Sequence, residues 1–252
     1  MKLKFIIAVA VGSLLWIGGS IVAKADEGMW MINAIDAALE KKMVERGLEL
    51  SAGEIYNADA PGSSVADAVV SMAFGCTGSM ISDQGLLITN HHCAYSDVHG
   101  LSTPEHNYLE EGFWAMRSDE EVNIKDKQVY FLKRVLDVTD EVKKLQADLE
   151  AEGKPAGSRR LSHLMEQKYS KQTGLDAWLS SMWRGSKYYL ALYEVYSDVR
   201  LVAAPPVSSA AFGGDIDNWE WPQHKCDFAL YRVYTAPDGS PAEYSKDNVP
   251  MK

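Results

Sequence analysis

The chain has 252 residues, of which 46% are hydrophobic and 10% aromatic. This is enough apolar material for a globular domain with its own core, so a disordered chain is excluded. The formal net charge is −10 at pH 7. Because nucleic-acid binding requires clustered lysine and arginine to meet phosphates, this acidic balance argues against a nucleic-acid partner.

The segment 1–25 is predicted to be a signal peptide. Lys2 and Lys4 precede an apolar run over residues 5–17, and Ala-Lys-Ala at 23–25 gives the small-x-small pattern at which signal peptidases cut. A retained membrane anchor is the alternative, but the run is short for a membrane span and Gly-Gly-Ser at 18–20 interrupts it. We therefore expect export, a mature chain over 26–252, and no membrane contact after cleavage.

The mature chain is expected to begin with a helix. Residues 29–47 show helical spacing, with Ile35, Leu39 and Met43 on one face and Gly47 at the end. The sequence Ala-Pro-Gly-Ser-Ser at 60–64 is typical of a loop. The pattern thus predicts an amino-terminal helix that a loop separates from the first strands.

Two cysteines, Cys76 and Cys93, enclose a predicted β-hairpin. Residues 79–82 and 86–89 are typical of strands, and Asp-Gln-Gly at 83–85 is typical of the turn between them, so the ends of the segment come together. Disulfides persist in the compartment expected for an exported chain, and a bridge here would stabilise the fold by roughly 3 kcal/mol on the loop-entropy model. Two buried free thiols are the alternative. Cys226 has no predicted partner.

The middle of the chain changes its hydrophobic period twice. Residues 128–138 are mostly apolar and are predicted to form a strand. Helical spacing begins at 139, stops at Gly-Lys-Pro 153–155 and resumes over 158–170. Residues 187–205 are rich in aromatic and β-branched side chains and are predicted to return to strand. The two helices therefore form an excursion between strands.

The end of the hairpin carries groups suited to proton transfer. The sequence Thr-Asn-His-His-Cys at 89–93 sets two histidines before a cysteine, and a general base must lie on a rigid element within reach of its proton. A strand followed by His-Cys, with the cysteine bridged back to the preceding strand, resembles the chymotrypsin clan of serine proteases. His92 occupies the place of the catalytic base in that clan, and His91 takes a position usually held by a small residue.

The chain resembles more closely the bacterial dipeptidyl-peptidase 7 and 11 family of exported serine exopeptidases. The segments DEGMW at 26–30, CTGS at 76–79, TNHHC at 89–93 and GGDIDNWEWPQHKCDFALYRVY at 213–234 carry this resemblance. It implies a mainly β fold, a chymotrypsin-like antiparallel barrel forming part of a double barrel, with an amino-terminal helix and a helical insertion near 139–183. It also implies peptide substrates, no cofactor or metal, a periplasmic or cell-surface location in a Gram-negative bacterium, and a possible homodimer of the full-length form.

The resemblance requires an aspartate that orients the histidine, and three candidates lie close together. Asp215 and Asp217 belong to a loop rich in glycine and tryptophan, whereas Asp227 opens a strand-like run that resembles the aspartate strand of the chymotrypsin clan. Asp227 is therefore the predicted partner of His92. Asn218 and the backbone of Trp219 match the family segment that holds the free amino terminus of the substrate.

In the chymotrypsin clan the order is His, Asp, Ser, and the serine lies in a late Gly-x-Ser-Gly turn. No such turn follows Asp227, so we expect an amino-terminal portion of the peptidase domain that does not cleave peptides alone. A zinc-binding structural or binding protein is one alternative, because histidines and cysteines are plentiful, although His-Glu-x-x-His and Cys-x-x-Cys patterns are absent. A non-catalytic peptide-binding relative that lost the serine is the other.

Overall fold

The computed structural model describes residues 30–60, 62–72, 75–211 and 225–252. The chain forms two compact units, residues 1–35 and 36–252. The described part of the first unit contains a 3-10 helix at Ile32–Ala34. The predicted signal peptide lies outside the described residues and stays a prediction. Among the described residues, no helix has the length and apolar character needed to cross a membrane.

In its described residues, the second unit is built on a sheet of 11 strands. In chain order these are β1 Val69–Ser71, β2 Thr77–Met80, β3 Leu86–Thr89, β4 Phe113–Trp114, β5 Val122–Asn123, β6 Val129–Asp137, β7 Asp176–Met182, β8 Lys187–Tyr196, β9 Asp198–Ala204, β10 Ala229–Thr235 and β11 Val249–Pro250. Neighbouring strands run in the order β4-β9-β10-β3-β2-β1-β6-β8-β7, with β5 beside β9 and β11 beside β10. All described pairings are antiparallel.

The sheet curls around one core although its path of paired strands is not closed. Strands β8 and β9 are separated only by Ser197; β8 pairs with β6, and β9 pairs with β10. The bend at Ser197 therefore connects the two arms of the sheet. Side chains of both arms share the main apolar core, which includes Val70, Leu87, Val129, Phe131, Leu201 and Val233. The expected antiparallel β architecture is confirmed, and the barrel is open.

Helices cover parts of this sheet. They are α1 Ala37–Val44, α2 Ala52–Ile55, α3 His91–Leu101, α4 Tyr108–Glu111, α5 Thr139–Ala151, α6 Ser158–Thr173 and α7 Val207–Ala210, with 3-10 helices at Val65–Ala68, Ser118–Glu120 and Trp183–Gly185. The helix predicted over 29–47 is shorter than expected. The Asp36 side chain accepts hydrogen bonds from the backbone N–H groups of Ala38 and Leu39 at 3.0 and 2.8 Å, and this N-cap begins α1 at residue 37.

The excursion between strands β6 and β8 contains the two predicted helices and one strand that was not predicted. Helices α5 and α6 pack on the sheet around a second core, which includes Val142, Leu149, Leu161, Met165, Leu190 and Leu192. The helical insertion expected near 139–183 thus also contains a strand, because α6 ends before Gly174 and strand β7 then pairs with β8 from Asp176 to Met182. The strand forms because β8 offers backbone groups that β7 can satisfy.

Candidate catalytic site

His92 lies in the first turn of helix α3. Strand β3 ends at Thr89, Asn90 is the N-cap residue, and the helix begins at His91. The strand predicted over 86–89 is observed with those bounds, and His92 lies three residues after it in a helix that was not predicted. Thr89 pairs with Ala229 of β10. This register places the residues just before β10 beside the residues that follow β3.

Asp227 contacts His92 through both carboxylate oxygens. His92 Nδ1 lies 2.9 Å from Asp227 Oδ2, and the His92 backbone N–H donates to Oδ1 at 3.1 Å. Asn90 Nδ2 donates to Oδ2 at 3.1 Å and to the Asp227 carbonyl oxygen at 3.2 Å. Residues that are 135 positions apart in the chain are thus brought into one hydrogen-bonded group. The predicted pair is in contact, and its catalytic role remains a proposal.

The electrostatics of the pair keep the aspartate ionised. Burial acts to raise the pKa of Asp227, but hydrogen bonds from the His92 backbone and side chain, its positive charge when protonated, and Asn90 outweigh burial and lower that pKa below its ordinary value. The side chains of His92 and Asp227 are 65% and 24% exposed. Because Nδ1 faces the carboxylate, Nε2 is the ring nitrogen left to exchange a proton with another group.

The predicted disulfide also fixes the first turn of helix α3, which carries His92. Cys76 and Cys93 are bridged, with their Cα atoms 6.1 Å apart. The bridge joins the first turn of α3 to the residue just before β2. The alternative of two free thiols is therefore excluded. Cys226 is a free cysteine and is exposed.

The chain around Asp227 is held by backbone contacts. The Cys226 N–H donates to the Ser209 carbonyl at 3.0 Å, and the Phe228 N–H donates to the Cys226 carbonyl at 2.8 Å. The second bond closes a tight turn centred on Asp227. Asp227 is thus anchored to the α7 region on one side and enters β10 on the other.

His91 is buried beside this pair, with a relative exposure of 2%. Burial lowers the pKa of His91, opposed by the charge of Asp227 and by a hydrogen bond to the Pro205 carbonyl. The imidazole is therefore neutral at neutral pH. Its Nε2 has no hydrogen-bond partner within the part of the chain that the structure describes. Because His91 is packed in the interior, His92 is the exposed histidine of the His-His sequence.

Sequence reasoning missed the contribution of Asn90. The available signal was weak: asparagine is a favoured N-cap residue, so Asn90 could have been expected to cap a helix that begins at His91. Here its side chain does not cap the helix and donates to Asp227 instead. The rejected aspartates Asp215 and Asp217, and the predicted amino-terminus binders Asn218 and Trp219, lie outside the described residues.

The described residues give no support to the alternative of a zinc-binding protein. They contain no group of three or more His, Cys, Asp or Glu side chains placed to hold a metal ion. The disulfide also removes Cys93 as one of the thiolates that such a site could use.

Residues 25–252 match the protein family described as Peptidase S46. The chain belongs to the peptidase S46 family. Among its relatives, the Asp/Glu-specific dipeptidyl-peptidase of Porphyromonas gingivalis is 44% identical over 241 residues, covering 92% of this chain and 33% of the relative. The dipeptidyl-peptidase 7 of the same organism is 41% identical over 258 residues, covering 100% of this chain and 35% of the relative.

The fold comparison agrees with the S46 assignment. The crystal structure of Porphyromonas endodontalis DPP11 in complex with the dipeptide Arg-Glu matches with a TM-score of 0.80 and 41% identity, over 90% of this chain and 34% of that one. The chain thus spans about a third of the length of the curated relatives it matches. The resemblance drawn from the sequence motifs is confirmed at the level of the family.

Proposed function

We propose that this S46 chain carries the base and the orienting acid of a serine-type dipeptidyl-peptidase that releases dipeptides from the amino termini of peptides. The observation that carries the proposal is the contact between His92 Nδ1 and Asp227 Oδ2 at 2.9 Å. A histidine held by a carboxylate through one nitrogen, with the other nitrogen available, is the arrangement that activates a hydroxyl nucleophile. The names of the relatives as dipeptidyl-peptidases support the reaction class.

In this mechanism the nucleophile is a serine supplied by sequence outside this chain. Its oxygen attacks the carbonyl carbon of the second substrate residue while His92 Nε2 takes the hydroxyl proton. His92 then gives that proton to the nitrogen of the leaving peptide, the C–N bond breaks, and an acyl-enzyme remains. Water then attacks this ester while His92 takes its proton, the ester C–O bond breaks as His92 returns that proton to the serine oxygen, and the dipeptide leaves. Asp227 holds the imidazole tautomer and stabilises the imidazolium formed in each half-reaction.

The exopeptidase character depends on recognition of a free amino terminus. Asn218 and the Trp219 backbone are proposed to accept hydrogen bonds from the substrate ammonium, which closes the site beyond the second residue. This role is carried over from the family segment Asp-Asn-Trp at 217–219. Export through the segment 1–25 to the periplasm or cell surface, and dimerisation of the full-length form, belong to the same proposal.

The test uses the full-length protein that contains this sequence. A serine-directed phosphonate should label it, and it should release dipeptides from peptides with a free amino terminus and not from amino-blocked copies of them. His92→Ala should lower kcat/KM by at least about 1,000-fold, as removal of a triad member does. His99→Ala is the matched control, because His99 is exposed on the same helix.

Each outcome decides between the candidate functions. Full activity of His92→Ala, or equal losses for both histidine variants, would overturn the assignment of the base. Peptide binding with neither phosphonate labelling nor dipeptide release would instead support the non-catalytic relative. The 252-residue chain alone is expected to release no dipeptide.

A further inference from the structure

A second polar contact joins helix α3 to strand β10, away from the His92–Asp227 pair. Asp97 Oδ2 accepts a hydrogen bond from the Tyr231 hydroxyl at 2.6 Å and one from Lys127 Nζ at 2.5 Å. Asp97 lies on the helix that carries His92, and Tyr231 lies on the strand that Asp227 precedes. Lys127 comes from the turn before β6. These three residues are called the Asp97–Lys127–Tyr231 cluster.

The cluster lies where its bonds are protected from water. Tyr231 is fully buried, and the side chains of Lys127 and Asp97 are 12% and 17% exposed. The Lys127 ammonium also lies 4.8 Å from the centre of the Tyr231 ring. Burial and the charge of Asp97 raise the pKa of Tyr231 far above its ordinary value, so its hydroxyl stays protonated and donates. Charge-assisted bonds of this kind are stronger than neutral ones, especially away from solvent.

The contact between His92 and Asp227 is partly exposed to water, so it needs a buried contact nearby to keep its geometry. The His92 side chain is 65% exposed, and a solvent-exposed ion pair contributes only about 0–1 kcal/mol. A catalytic contact must nevertheless stay within about 0.5 Å of its working geometry. The disulfide does not meet this need alone, because Cys93 is tied to Cys76 and not to β10.

We propose that the Asp97–Lys127–Tyr231 cluster is a positioning device that sets the spacing of helix α3 and strand β10, and thereby holds His92 against Asp227. Its catalytic meaning rests on the proposed function, whereas the spacing itself does not. Tyr231 provides the link by reaching from the core of the sheet to the helix. Lys127 fixes the Asp97 carboxylate in the orientation that receives the phenol.

Strand β10 offers a closely matched control residue. Tyr234 is also buried, at 3% exposure, and its hydroxyl donates to Glu121 Oε2 at 2.8 Å. Glu121 is in turn paired with a cation, since Arg232 Nε donates to its Oε1 at 2.9 Å. Tyr231→Phe and Tyr234→Phe therefore remove the same type of bond from the same strand. Only the first removes a link to the helix that carries His92.

The readout is the titration of the Asp227 carboxyl in the 252-residue chain, followed by carbon-13 NMR of labelled aspartate. The groups that act on this carboxyl are His92, His91 and Asn90. In Tyr231→Phe the pKa of Asp227 should rise toward its ordinary value, because the hydrogen bonds from His92 lengthen. In Tyr234→Phe it should stay low. Thermal unfolding of both variants shows whether they lose stability to a similar extent.

In the full-length enzyme, Tyr231→Phe should lower kcat by about 10-fold to 100-fold with little change in KM, as displacement of a catalytic group by a distant substitution does. Asp97→Asn should reproduce both effects, and it replaces Tyr231→Phe as the test if that variant does not fold. Equal effects of the two tyrosine variants on the Asp227 titration, or no effect of either, would overturn the proposal. A selective effect of Tyr231→Phe on this titration, in a protein whose full-length form lacks peptidase activity, would support the positioning and overturn the proposed function.

Discussion

The helical excursion and the part of the chain that packs around the main core, which includes the helix of His92, share one sheet but place their charges differently. In the excursion, Lys168 pairs with Glu141 between α6 and α5, with side chains 47% and 35% exposed. On strand β9, whose Val199 and Leu201 belong to the main core, Asp198 has no exposure and its partner Arg200 only 9%. A buried ion pair adds little net stability over an apolar pair, but it holds its members in one geometry. We interpret the difference as a division of roles. The excursion covers the end of the sheet at β7, whereas the buried ion pair of the main-core region holds its strands in a fixed arrangement.

Asp198→Asn should give the largest loss of stability. The Asp198 carboxylate accepts from Arg200 Nε at 2.9 Å and from Nη2 at 2.7 Å, and the guanidinium carbon lies 3.6 Å from the centre of the Tyr234 ring. Removal of the anion leaves a buried cation uncompensated, so we expect the free energy of unfolding to fall by about 3–5 kcal/mol. Urea unfolding measures it.

Glu141→Gln is the matched control in the excursion, because it makes the same change from carboxylate to amide. Glu141 accepts from Lys168 Nζ at 2.6 Å and from the Tyr169 hydroxyl at 2.9 Å. The expected loss is at most about 1 kcal/mol, as for an exposed pair. Similar losses at the two positions would remove the distinction between the regions.

Removal of the disulfide should come next and should act on one region only. Replacement of both Cys76 and Cys93 by serine is expected to lower the free energy of unfolding by about 3 kcal/mol. In hydrogen exchange, amides of α3 should exchange faster while those of α6 keep their relative protection, because the bridge ends on α3 and α6 belongs to the second core.

Cys226→Ser controls for the loss of a sulfur atom. Cys226 is exposed and forms no disulfide, so the change should stay within about 0.5 kcal/mol. If the double serine variant loosened α6 as much as α3, the two regions would unfold as one cooperative unit and the comparison would fail.

Both regions were predicted from the sequence only where a local pattern marks the element. The second strand of the hairpin was predicted with its observed bounds at 86–89, and the helices beginning at 139 and 158 appear where their periodicity placed them. Local patterns carry these signals. Strand β7 escaped prediction because it is defined by pairing with β8, and no local pattern reports such a partner.

The candidate site was predicted only in part, because local patterns show strand starts but not contacts between distant residues. Asp227 was preferred over two nearby aspartates because it opens a strand, and β10 does begin two residues later, at Ala229. Helix α3 was missed, although Ala94, Val98 and Leu101 show the helical spacing that could have found it. The Asp97–Tyr231 bond was beyond sequence reasoning, because it joins residues 134 positions apart through the folded sheet.

The smallest expected effect concerns Asp137, the last residue of strand β6, where the excursion begins. It accepts hydrogen bonds from Lys187 Nζ at 2.8 Å and from the Thr139 N–H at 3.0 Å. The bonds from Lys187 and Thr139 lower the pKa of Asp137 from 3.8 to about 2. Since the folded-state pKa is the lower one, this stabilisation is complete above about pH 4 and is lost as the pH falls toward 2.

Asp137→Asn should therefore flatten the fall of stability below about pH 4, with a difference under about 1 kcal/mol at neutral pH because the side chain is 41% exposed. Urea unfolding from neutral pH down through this window measures both quantities. Asp140→Asn, at an exposed neighbouring position, controls for loss of a negative charge. Identical slopes for Asp137→Asn and the unsubstituted chain would show that this surface acid does not contribute to acid sensitivity. The loss of stability in acid would then arise from other carboxylates, including the buried Asp198.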